Sequence, residues 1–292
     1  MKLTSTLFFL CAGFSATLIG GESGVLESAI LKQLADYSKI ENLYLKLHVV
    51  NSDFTASKDT VRKDSSFVFE YWKKSSNYRV SLFLKNQETQ TPLVYNAYDG
   101  TYYQHWSSHD PGMIQFTKVP IPTTWQETYD ITLKWLFFIM ADSEEKALLA
   151  GGPTWDYEKI KNAALSLLRD SQKLTETKDS VVYRVLNSDI VYDIQMQKTG
   201  SLLPNEIITK NKTGKMLGSY QVDKIASLGI QYPEISESIH YEDGKPAFKL
   251  TYKVLSITTN DKDFDDSVFY LDVSGARQIF DRDKLKMIKV PQ

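Results

Sequence analysis

Apolar residues along this chain follow two periods. Between Ser23 and about residue 42 they fall at Val25, Leu26, Ile30, Leu34 and Tyr37, with Lys32, Gln33 and Asp36 between them. That spacing predicts one amphipathic helix. From residue 43 the period becomes two, and runs at 43–54, 66–73, 78–85, 93–98, 101–107 and 113–119 read as strands. In "YRVSLFLK", Tyr78, Val80, Leu82 and Leu84 alternate with Arg79, Ser81, Phe83 and Lys85. "LVYNAYDGTYYQHW" reads as a β-hairpin turning on Asp99-Gly100, a dipeptide suited to the positive φ of a two-residue loop. With that loop, Ala97 faces Tyr102 and Tyr95 faces Gln104. One face then carries Leu93, Tyr95, Ala97, Tyr102 and Trp106, and the other Val94, Tyr98 and Tyr103. Neither face is plainly polar, so both must be covered.

After Pro120 and Pro122 the pattern changes. "TYDITLKWLFFIMADSEEKALLAGG" is helical in period and apolar nearly all round over Ile131 to Met140, too short for a membrane span and therefore packed inside the fold. Thr154 can cap a further helix through Leu168, with Tyr157, Ile160, Ala164, Leu167 and Leu168 inward. Strands are predicted again at 180–187, 189–197, 204–210, 216–226, 235–241, 246–258 and 267–273, jointed by Thr199-Gly200, "NKTG" at 211–214 and "EDGK" at 242–245. The expected fold is α+β: a large antiparallel sheet with an N-terminal helix and a central helical insertion. A sheet of ten or more strands curls, and the helices are available to fill its hollow.

Composition changes this picture little. The 292 residues are 42% hydrophobic and 24% charged with a net charge of −2, which excludes disorder and gives no basic face for nucleic acid. The N-terminus changes it more. Met1-Lys2 followed by "LTSTLFFLCAGFSATLIGG" reads as a secretory signal peptide over residues 1–22, and the only cysteine, Cys11, lies within it. The small residues that a lipoprotein signal wants just before its cysteine are missing, since Phe-Phe-Leu precedes Cys11. The expected mature protein is exported, soluble and free of disulfides.

Candidate chemistry is thin. His105 and His109 have helical metal-ligand spacing but lie at a strand end and before "DPG". "SSHD" at 107–110 holds triad letters that neighbours in sequence cannot arrange. Asp261, Asp263, Asp265 and Asp272 sit near calcium-loop spacing, with Asp266 where such a loop needs glycine. "NKT" at 211–213 matches a glycosylation acceptor and equally a turn. No phosphate loop, dinucleotide fingerprint or nucleophile elbow occurs, so nothing argues for an enzyme, a metal or a cofactor. Aromatic residues, 12% of the chain, instead concentrate in the first strands and the helical insertion.

The segments "LKQLADYSKIENLYLKLHVV", "FVFEYWKKSSNYRVSLFL", "VYNAYDGTYYQHW" and "VYDIQMQKTGSLLPNEIITKNKTGKMLGSYQVDKI" follow one another in an order that resembles the periplasmic lipoprotein-carrier superfamily with the LolA/LolB-like fold. The resemblance spans most of residues 25–260; the tail at 261–292 extends beyond it, as in a divergent member. It implies an unclosed half-barrel with a helical lid over an apolar cavity, located in the periplasm. The implied partner is lipid or an acylated lipoprotein, with membrane proteins of the envelope as donors or acceptors. On that basis Phe69, Tyr71, Tyr95, Tyr102 and Trp106 line the cavity from the sheet, and Trp135, Phe138 and Ile139 from the lid. The family secures lid or cargo with an arginine on an early strand; the nearest positions here hold Lys73 and Lys74, with Arg79 on the next strand. The competing expectation is a structural or signalling module of the envelope whose hollow is filled by its own side chains.

Overall fold

The predicted alternation produces, among the described residues, one sheet of fifteen strands. β1 (Asn42–Asp53), β2 (Ser65–Lys74), β3 (Asn77–Leu84), β4 (Val94–Tyr98), β5 (Tyr103–Ser107) and β6 (Met113–Thr117) form one meander. β7 (Gln172–Glu176), β8 (Ser180–Asn187), β9 (Ile190–Gln197), β10 (Pro204–Asn211), β11 (Met216–Ser227), β12 (Gln231–Glu242) and β13 (Lys245–Thr259) form a second, and β13 returns to pair antiparallel with β1. β14 (Gln278–Asp281) then adds to the far side of β6 and carries β15 (Lys286–Lys289). The protein, a computed structural model, is described over residues 24–54, 65–75, 77–85, 92–109, 113–118, 130–140, 157–169, 171–271 and 278–289. The predicted signal segment, Cys11, the Thr154 cap and Asp272 lie outside these residues.

Three features depart from the expectation of a wholly antiparallel sheet. β14 runs parallel to β6, so the sheet is mixed, and its end strands β15 and β7 do not meet, so it does not close into a barrel. Over its described residues the strand predicted at 267–273 gives way to a single 3-10 turn at Asp266–Phe269: the Asp265 carboxylate caps it by accepting from Ser267 N at 2.8 Å, and Phe269 is buried. Finally, the DG hairpin has a four-residue loop, with Tyr98 opposite Tyr103 and Tyr95 opposite Trp106. The Asp99 carboxylate accepts from both Thr101 N and Tyr102 N at 2.8 Å, wrapping the chain past a two-residue turn. This shifts the register by two residues and leaves the face of every side chain unchanged. At Asp243-Gly244 the same dipeptide makes the two-residue loop, both residues at positive φ and Glu242 opposite Lys245.

Register defines the faces. The inner face carries Leu43, Leu45, Leu47 and Val49 on β1 and, across from them, Lys73, Tyr71, Phe69 and Phe67 on β2. Among the described residues three helices lie against it: α1 (Gly24–Tyr37), α2 (Lys134–Ile139) and α3 (Tyr157–Leu168). Leu26, Ile30, Leu34 and Tyr37 of α1 are buried as their spacing predicts. They share one core with Leu133, Trp135, Leu136, Ile139 and Met140 around α2, Ile160 and Ala164 of α3, and the inner side chains of β8 to β11. Ile131, just before α2, enters a second core with β1, β2, β3 and Tyr252 of β13. α2 is thus covered on nearly every side, as an all-round apolar helix requires.

The outer face of β2 to β5 is covered too. Residues 264–271 cross it, with the rings of Phe264 and Phe269 5.9 Å apart. Tyr95 OH donates to Val268 O at 3.3 Å, and Gln104 Oε1 accepts from Leu271 N at 2.9 Å. The segment beyond 260, set apart from sequence as a tail, therefore covers one face of the sheet and extends its edge.

Candidate functional site

Two features of the inner face bear on function: a polar knot that holds α2, and an apolar groove beside it. The knot starts at the end of α1. Tyr37 OH donates to the Asp130 carboxylate and accepts from Lys73 Nζ at 2.9 Å. Asp130 also accepts from the Thr132 hydroxyl and, at 3.3 Å, from Thr132 N, so it caps the turn leading into α2. Gln33 of α1 donates to Thr132 O at 2.9 Å and to Gln231 O at 2.8 Å, tying the same turn to β12. All of these polar side chains are buried. Burial pushes Tyr37 well above its ordinary pKa, and Asp130 adds to the rise. Burial also lowers Lys73 to about 8 against the opposing pull of Asp130. At the other end of α2, Asn187 Nδ2 of β8 reaches Ile139 O at 3.4 Å.

The groove lies between α2 and β9 to β13. Its volume is about 400 Å³, within the range of small-ligand sites. Phe138, Tyr192, Gly218, Ile239, His240 and Phe248 form most of its wall. Phe138 rests 5.8 Å from the Tyr220 ring, and His240 stacks on Phe248 at 5.0 Å. Gly218 makes this possible: a Cβ there would stand 3.3 Å from Ile239 O and 3.7 Å from the Phe138 ring. Thr209 Oγ1, at the groove wall, is buried without a hydrogen-bond partner. A larger depression of about 620 Å³ lies between the start of α1 and β7 to β9, but Lys32, Lys173, Glu176 and Lys198 edge it. There the two lysines Lys173 and Lys198 hold Glu176 down to about 2, which marks an exposed ion-pair surface rather than an apolar site.

The sequence-predicted residues divide between places. Of them, Phe138 borders the groove. Phe69 and Tyr71 are on the inner face, but they fill the second core against Leu45, Leu47 and Ile131. Trp135 and Ile139 are wholly buried in the first core. Tyr95, Tyr102 and Trp106 stand on the opposite face from Phe69 and Tyr71, because Tyr95 pairs with Ser81 and Trp106 while Val80 pairs with Tyr71. One cavity cannot be lined by both sets. Tyr102 meets Phe116 edge-on, and Tyr95 lies under the C-terminal segment. Among the predicted polar anchors, Lys73 points inward into the knot. Lys74 bonds Asp266 at 2.7 Å on the outer side, and the Arg79 guanidinium sits between the rings of Trp72 and Tyr95 at 4.5 and 4.8 Å.

The sequence also offered candidates that resolve into turns and packing. Asn211 turns its carboxamide oxygen back to Thr213 and Lys215, and Asp261 accepts from Asp263 N. His105 pairs with Asn96. Among the described residues no three His, Cys, Asp or Glu side chains group to hold a metal, and no helix is long and apolar enough to cross a membrane.

This architecture is similar to that of a DUF1329 family protein from Desulfovibrio piger ATCC 29098, with a TM-score of 0.51 and 7% identity over 91% of this chain and 99% of that one. Looser likenesses link it to a putative outer membrane lipoprotein-sorting protein domain from Vibrio parahaemolyticus (TM-score 0.46, 6% identity, 82% and 94% covered). A LolA superfamily protein from Nitrosomonas europaea matches at TM-score 0.43 and 9% identity, with 82% and 97% covered. No family model matches the chain, and neither does any curated protein. At such identities the likeness is one of fold.

Proposed function

We propose that this chain is an exported, non-enzymatic carrier that holds an acyl chain in the groove between Phe138 and β9 to β13, with the knot at Lys73, Tyr37 and Asp130 keeping α2 over it. The observation that carries this reading is the groove itself: an unfilled, aromatic-walled space on the inner face of an open sheet. The resemblance read from the sequence points the same way. Binding of this kind is passive. Each methylene removed from water contributes about 0.8 kcal/mol, so a chain of a dozen carbons supplies roughly 10 kcal/mol before ordering costs. Release then needs a competing acceptor, because no covalent step drives it.

Displacement of a fluorescent fatty-acid probe tests this. Phe138 is only partly buried, so Phe138→Asp leaves the fold intact and lowers probe affinity at least tenfold; unchanged affinity rejects the groove as the site. A second reading, a self-filled envelope module, draws on the complete burial of Trp135 and Ile139 and the packing of Phe69 and Tyr71 into the core. It predicts no saturable probe binding by the wild type.

A further inference from the structure

The groove ends near a buried cation that the knot does not use. Lys134 opens α2 one helical turn before Phe138, so the two share a helix face. Its ammonium lies 3.6 Å from the centre of the Tyr252 ring. No carboxylate among the described residues pairs with it: Asp130, four residues earlier, is engaged by Tyr37 and Thr132. Tyr252 stands across from Ser236, and Ser238, the next inner residue of β12, lines the groove and faces Tyr220. In register, Tyr252 and the ammonium over its ring stand one inner-face position along the strands from Ser238 at the groove wall. Around that end of the groove the Tyr220 and Ser236 hydroxyls are buried beside each other.

We propose that the ligand of the groove is a single-chain amphiphile with an anionic head, whose carboxylate or equivalent oxygens reach Lys134 and the Tyr220 and Ser236 hydroxyls while the chain runs under Phe138 towards Phe248. A buried ammonium with only a ring face for company is costly, and an anion beside it removes that cost. The two buried hydroxyls have only each other at hand, and either can turn its proton to an anionic acceptor. From Tyr252 to Phe248 along β13 is four residues, roughly 13 Å, room for one acyl chain laid along the strands. Burial alone lowers Lys134 to about 7, so the site also stands ready to take up a proton when an anion arrives.

This proposal rests on the carrier reading, and the experiment separates the two. Dodecanoate and methyl dodecanoate are titrated against the wild type, Lys134→Met and Lys134→Arg, with displacement of a neutral fluorescent lipid probe as the signal. The expected result is that the wild type binds the acid at least tenfold more tightly than the ester. Lys134→Met abolishes that preference with ester affinity kept, and Lys134→Arg retains it. Equal affinities in the wild type overturn the anionic head and leave the carrier standing; no binding of either overturns both. If Lys134→Met does not fold, the wild-type ratio decides alone.

Discussion

At the scale of single residues the most informative groups are the two buried lysines. Lys134 is lowered to about 7 and Lys73 to about 8, each from an ordinary 10.5. A lysine depressed by folding binds fewer protons in the folded chain than in the unfolded one. The cost of holding it charged is full below the folded value and is relieved as pH rises toward 10.5, so these groups make stability climb between about pH 7 and 10. Above about 10 the sign reverses. Tyr95 and Tyr103, raised to about 12, keep protons that the unfolded chain gives up, and stability falls. Urea midpoints measured from pH 6.5 to 9.5 should rise for the wild type. Lys134→Met, which removes a buried charge without a carboxylate, should be more stable at pH 6.5 by about 3 kcal/mol and show a flatter profile. A variant that is stabilised yet loses preference for an anion marks a residue retained for binding.

At the scale of elements the knot decides how α2 is held. Removing one partner of a buried charged cluster leaves the rest unpaired, which costs about 3 to 5 kcal/mol, whereas removing two together costs less than the sum. Lys73→Met should therefore destabilise by roughly that amount, Tyr37→Phe by about 2 kcal/mol, and the double variant by less than both combined. Hydrogen exchange should locate the loss: amides of α2 exchange sooner in Lys73→Met than in the wild type, while those of β8 and β9 do not. The strands themselves were legible because their alternation is strong; β1, β2 and β3 match the sequence reading to within a residue or so. β7 was not legible, since all five of its residues are exposed and leave no periodic trace. Nor were the four-residue strands β14 and β15. Alternation assigned the hairpin's faces correctly but did not say which was inner. Tyr95 and Trp106 looked like cavity residues because the outer face is apolar as well, covered by a segment more than 160 positions away. The groove escaped notice for the opposite reason: Thr209, Ser238 and His240 gave its strands a polar look.

At the scale of the whole molecule the two meanders are joined by β1 and β13, and the C-terminal segment binds the sheet a second time. After β13 the chain crosses the outer face, buries Phe269 and then adds β14 beside β6, the far end of the first meander. The start of that crossing is anchored by Asn42, whose side chain bonds Asp261 in both directions at 2.8 and 2.9 Å, and by Lys74 with Asp266. Without this segment the Arg79 stack on Trp72 and Tyr95 would face water, and β6 would present an unpaired edge, the usual route to strand-to-strand association. Phe269→Ala tests whether the segment is structural or an appended tail. A phenylalanine with no exposed surface, emptied to alanine, costs about 3 to 5 kcal/mol where the neighbours cannot close the space. The expected outcome is a loss of that size in chemical denaturation, with faster amide exchange in β14, β15 and β6 and a concentration-dependent rise in light scattering. A loss under about 0.5 kcal/mol with unchanged exchange would show that the sheet stands without its cover, as surface substitutions do. The groove lies on the other face, so Phe269→Ala should leave probe affinity measured below the unfolding transition unchanged, which separates damage to the scaffold from damage to the site.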